Sequence, residues 1–159
     1  MARAKAKTSK VSIRGFFRGQ LVESGTGRIM GDTGWKENTL TNGGLTAIAQ
    51  LVAGSAGSYV VGYMGVGTQT AAMNMSQTAL VGSTAAFKAL NLSTSGTCTL
   101  TCTAVFSSSD LAGSCNIGAV GLFKTNSDGS MLAGQVFGTS SWNTNQDFSL
   151  TYQLRFSTA

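Results

Sequence analysis

The sequence predicts a mainly β protein: an antiparallel β-sandwich of jelly-roll or immunoglobulin-like kind, with one short helix and a basic N-terminal arm. Three observations carry this. Phe148, Leu150, Tyr152, Leu154 and Phe156 alternate with Ser149, Thr151, Gln153 and Arg155, the pattern of a strand with one buried face. Further short segments of strand character precede it, and 21 glycines with no proline supply the turns between them. Only one stretch repeats its apolar residues at helical spacing.

In chain order, residues 1–10 have no apolar period and read as a flexible arm, and 11–18 alternate loosely as a first strand. The glycines at 25 and 27, and at 31 and 34, mark turns. The helix is capped by Thr41 or Asn42, repeats through Leu45, Ile48, Ala49, Leu51 and Val52, and stops at Gly54. It has no charged residue, so its outer face is expected to be covered as well. Strands are expected at 58–67, 84–92, 97–106, 116–123 and 131–137, with a long irregular loop over 68–84 and a turn over 126–130. The arm is taken as residues 1–18 and the sandwich body as 19–159.

The charge is unevenly placed. Seven of the eleven basic residues lie in the first 28, namely Arg3, Lys5, Lys7, Lys10, Arg14, Arg18 and Arg28, against one acid, Glu23. The rest of the chain holds four basic and five acidic residues. Such an arm seeks an anionic surface, because neutralising a polyanion releases counterions. Arg3, Lys5, Lys7, Lys10, Arg14 and Arg18 are therefore the expected contacts to an anionic partner, either an acidic protein face or nucleic acid. Phe16 and Phe17 lie between two arginines, an arrangement that suits nucleic acid but also describes ordinary strand residues. Charged residues make up 11% of the chain against the usual ~25%, which favours obligate assembly over a dispersed monomer. A secreted Ser/Thr-rich β-domain is the other reading.

The chemistry of an enzyme is scarce. There is no histidine, and so no partner for a nucleophilic serine. Asp32 and Glu37 flank Trp35 as the only close acidic pair; a glycosidase could use such a pair, but nothing else in the sequence supplies a cleft. Asp110 and Asp128 sit in turn contexts. The glycines at 43–44, 62–67 and 118–121 form neither a phosphate loop nor a dinucleotide fingerprint, and close packing explains them better. Cys98, Cys102 and Cys115 give no metal spacing; Cys98 and Cys102 are read on one strand face, as small buried thiols. No enzyme activity, cofactor, metal or small-molecule substrate is expected. Nor is a membrane span or secretory signal, so the cysteines are expected to stay reduced in a cytoplasm. Trp142 stands in a polar segment before the last strand, where it either stacks on a sugar as a surface aromatic or caps the end of the sandwich. Tyr59 and Tyr63 are further aromatic candidates.

Spaced small motifs add a resemblance. Trp35-Lys-Glu-Asn38, Asn42-Gly-Gly-Leu45, the apolar helix to Leu51, Met64-Gly-Val-Gly67-Thr-Gln-Thr70 and Thr78-Ala-Leu80 resemble small virion proteins of tailed bacteriophages. Gly118 to Phe123, Gly129 to Ala133 and the last alternating strand fit the same pattern, which covers roughly residues 33–157. That group places a Glu soon after the Thr-Ala-Leu step, whereas Val81-Gly-Ser-Thr-Ala follows here, and the basic arm lies outside the resemblance. The resemblance implies a non-enzymatic head or tail-fibre component, located in the virion after assembly in the host cytoplasm. Its expected partners are copies of itself and a major capsid or other virion protein. The first expectation is a capsid-associated decoration, cement or vertex subunit anchored by its arm. The alternatives are a genome-contacting shell protein and a receptor- or glycan-binding tail-fibre module.

Overall fold

The computed structural model describes residues 10–54, 61–82, 84–96, 98–110 and 114–158. Among the described residues eleven strands, one α-helix and a 3-10 turn at Ser108–Asp110 occur: β1 (Val11–Glu23), β2 (Ile29–Asp32), β3 (Lys36–Glu37), β4 (Thr39–Leu40), α1 (Asn42–Val52), β5 (Tyr63–Gly67), β6 (Thr84–Ala89), β7 (Asn91–Ser95), β8 (Thr99–Phe106), β9 (Cys115–Phe123), β10 (Met131–Trp142) and β11 (Gln146–Thr158). They form two antiparallel sheets. Sheet I has the order β2-β1-β11-β8-β7, with β3 also pairing to β1, and sheet II has the order β4-β10-β9-β5-β6. The sheets enclose the larger of the apolar clusters found among the described residues. Phe17, Phe106, Phe148, Leu150 and Tyr152 come from sheet I, and Met64, Val66, Ile117, Val120 and Trp142 from sheet II. This is the expected β-sandwich with one short helix.

The strand rules explain most of the elements. In β11 the buried residues are Phe148, Leu150, Tyr152 and Leu154, every second position. Nearly all of β9 is buried because it runs inside sheet II between β10 and β5, so it reads as a continuous apolar run. A Cβ on Gly65 would lie 2.9 Å from both Phe87 and Phe123, so that glycine serves close packing. α1 begins at the expected cap: Thr41 Oγ1 accepts the Gly44 amide at 3.1 Å.

Four expectations need correction. The division between arm and body at residue 18 falls inside β1, which is interior to sheet I and pairs with β11 from Val11↔Thr158 to Glu23↔Gln146. Its inward face includes Gly15 and Gly19 beside Phe17, and two glycines at core positions erase the apolar period that would have shown it as body. The strand expected over 84–92 is two strands, β6 in sheet II and β7 in sheet I, with the chain crossing between sheets at Leu90. The outer face of α1 is not covered by the described part of this chain: Leu45 and Leu51 are exposed, and Val52 is 86% exposed. Cys98 does not share a strand face with Cys102. It precedes β8 at a positive φ of 55° and is exposed, while Cys102 is buried and its thiol pushed up to about 12 by burial.

Candidate anionic-partner surface

Residues 1–9, with Arg3, Lys5 and Lys7, lie outside the described residues, as does Tyr59. Lys10 is exposed where the chain enters β1. Arg14 and Arg18 sit on the solvent side of sheet I, because strand alternation turns Phe17 and the flanking glycines inward. Neither arginine is a loose charge. Arg14 donates to Glu37 through Nε (2.7 Å) and Nη2 (2.6 Å). Arg18 donates to Asp32 through Nε (3.1 Å) and Nη2 (2.6 Å).

These pairs decide the chemistry of the acids flanking Trp35. Arg18 holds the Asp32 carboxyl far below the usual carboxylate range, helped by the Gly34 amide and Gln20. The hydrogen bonds from Arg14 likewise hold Glu37 down. Both carboxylates are thus engaged as acceptors of arginines on sheet I. A depressed folded-state value contributes stability that is fully present above the unfolded carboxylate value of about 4, and that is lost as pH falls through the folded value. Urea-unfolding stability is therefore expected to decline below about pH 4, and Asp32→Asn should flatten that decline. An identical acid profile in the variant would show that the Arg18–Asp32 pair adds nothing to stability.

Two more carboxylates are engaged elsewhere. Arg28 reaches Glu23 at 3.5 Å. Asp110 accepts Lys88 at 2.7 Å and the Ser107 amide at 2.7 Å, in keeping with its turn context. Among the described residues no group of three or more His, Cys, Asp or Glu could hold a metal.

Sequence reasoning missed one cluster on this face. Arg155 of β11 stands directly opposite Arg14 of β1. Its guanidinium lies over the Phe16 ring at 4.6 Å and near the Trp35 ring at 5.8 Å, and Arg14 lies 5.7 Å from the same Phe16 ring. Trp35 is 41% exposed. Arg155 donates to Gln153 Oε1 through Nε (3.0 Å) and Nη2 (2.6 Å), and among the described residues it has no carboxylate partner. The alternation of the last strand places Arg155 on its polar face, but nothing local shows that Phe16 and Trp35 arrive beside it.

Trp142 is not a surface aromatic. It is 0% exposed at the end of β10, contacts Phe106 and Phe148, and donates its Nε1–H to the Gln146 carbonyl at 2.8 Å. The surrounding serines and asparagines read as a loop, yet β10 continues past an irregularity between Val136 and Ser140 and carries the ring inward. It caps the end of the sandwich and cannot stack on a sugar. No protein-family model, curated protein or solved structure matches this chain.

Proposed function

We propose that the protein is a non-enzymatic virion structural subunit, a decoration, cement or vertex protein that self-associates and anchors on the particle through its basic N-terminal segment. The observation that carries this reading is the charge distribution. At least four of the six carboxylates pair with cations of the folded body, Glu23 with Arg28, Asp32 with Arg18, Glu37 with Arg14 and Asp110 with Lys88. Residues 1–10 hold Arg3, Lys5, Lys7 and Lys10 and no acid. The anchoring charge therefore belongs to residues 1–10 rather than to 1–18. A body with so few charges, carrying an apolar helix face that its described residues leave uncovered, also suits packing against other copies of itself or another virion protein.

Deleting residues 1–10 leaves β1 intact, so the body is expected to fold and melt as the full chain does. The truncated protein should fail to co-sediment with the particle, and the full chain should be released as salt rises from 50 to 200 mM, the range over which phosphate-type contacts weaken steeply. Truncated protein that still binds with the same salt dependence would sink the anchoring role. The alternative, a shell protein that lines the genome, rests on the same basic segment and on the cationic-aromatic cluster of sheet I. The receptor reading loses Trp142, which is buried, and keeps Tyr63, which is half-buried in β5.

A further inference from the structure

We infer that the solvent face of sheet I, centred on Phe16, Trp35 and Arg155, binds single-stranded nucleic acid. This surface belongs to the folded body and is separate from the N-terminal segment; it does not depend on the virion reading.

Two arginines directly opposite one another on antiparallel strands repel, and such pairs are destabilising unless neighbours compensate. Glu37 compensates Arg14, whereas among the described residues Arg155 has the Gln153 amide oxygen and two ring faces and no carboxylate. A charge left in this state is ready for an anion from outside the chain.

Around it the face is polar, and its carboxylates lie on the β1 side, where Glu37 stands opposite Phe16 and pairs with Arg14, and Asp32 pairs with Arg18. The register places Arg14, Arg155, Thr99 and Ser95 in one row across four strands. The next rows are Phe16, Gln153, Thr101 and Ser93, then Arg18, Thr151, Thr103 and Asn91. β7, β8 and the part of β11 beyond Asp147 contain no carboxylate.

An acidic peptide would need cations alone. Here the cations are laid against aromatic rings, and Trp35 keeps much of its surface open. Nucleic acid uses both features, with phosphate on the guanidiniums and a base stacked on the indole. A duplex hides its base faces, so the ring contact selects a single strand.

The full-length protein has two tryptophans, and Trp142 is sealed in the core, so Trp35 emission reports this face. Titration with an oligothymidylate at low salt should quench Trp35 fluorescence saturably. Trp35→Phe should abolish the quenching while leaving the Trp142 emission and the melting curve unchanged. Arg155→Gln should weaken binding and reduce the slope of log K against log salt by about 0.7, the value for one phosphate contact on a single strand. Binding of a labelled oligonucleotide with no change in Trp35 emission would overturn the inference, because the N-terminal segment would then account for the binding. Equal quenching by polyglutamate would overturn it in favour of an acidic protein partner. So would an unchanged salt slope in Arg155→Gln. The particle co-sedimentation experiment reads residues 1–10, so either proposal can fail without the other.

Discussion

Trp142→Ala is expected to lower the unfolding free energy by about 3–5 kcal/mol, the range for deleting a large buried aromatic. The ring is wholly enclosed and spans the two sheets: its strand belongs to sheet II, while Phe106 and Phe148, at 6.0 and 6.1 Å between centroids, belong to sheet I. Truncation leaves a cavity that strands pinned by their ladders cannot fill, and it orphans the Gln146 carbonyl that the indole N–H satisfies at 2.8 Å. In a chain of this length the melting temperature should fall on the order of 10 °C. Trp142→Phe keeps much of the apolar contact and loses the hydrogen bond, so it should cost clearly less. Trp35→Ala, at the surface, should shift the melting temperature little. Urea unfolding followed by far-ultraviolet circular dichroism measures all three. A cost below about 1 kcal/mol for Trp142→Ala would mean that the sandwich end closes without the ring, contrary to the cavity argument.

What could be read in the sequence depends on whether the signal is local. β11 shows its alternation because one face is continuously buried, and α1 shows its cap because Thr41 and Gly44 are three residues apart. β1 carries the same inward and outward alternation, but glycine occupies two of its core positions, and its arginines read as part of an arm. The acids that hold them lie 23 and 14 residues downstream, and only the pairing of β3 and β2 with β1 brings them there. The same holds for the candidate site: Phe16 and Arg155 meet through the β1–β11 register, which pairs residues some 140 positions apart, such as Arg14 with Arg155, and Trp35 arrives with the β3–β1 pairing. Trp142 shows the opposite failure. Its local sequence is polar, and the local signal of a loop is overridden by a strand that continues past an irregular register to reach the core.

Gly44→Ala is expected to destabilise the protein by about 1–3 kcal/mol, although alanine is the better helix former by about 1 kcal/mol. A Cβ at this position falls on the Leu132 carbonyl oxygen, a backbone atom of β10 that cannot rotate away. The helix must therefore move, and its first turn is tied down on several sides. The Thr41 amide donates to the Leu132 carbonyl at 3.1 Å, Thr41 Oγ1 reaches the Met131 carbonyl at 2.8 Å, and the Asn42 amide donates to the Met75 carbonyl at 2.7 Å. Moving α1 strains these bonds while Thr41 is 1% exposed, where a lost partner is not replaced by water. Gly43 is the internal control. A Cβ there would stand 3.4 Å from the Met131 carbonyl oxygen, so Gly43→Ala should be neutral or stabilising by up to about 1 kcal/mol. The two substitutions are chemically identical and one residue apart, so helix propensity predicts the same sign for both and contact with β10 predicts opposite signs. Urea unfolding of the pair decides between them: equal stabilisation would show that α1 is loosely seated, and a loss confined to Gly44→Ala would show that its first turn is locked to sheet II.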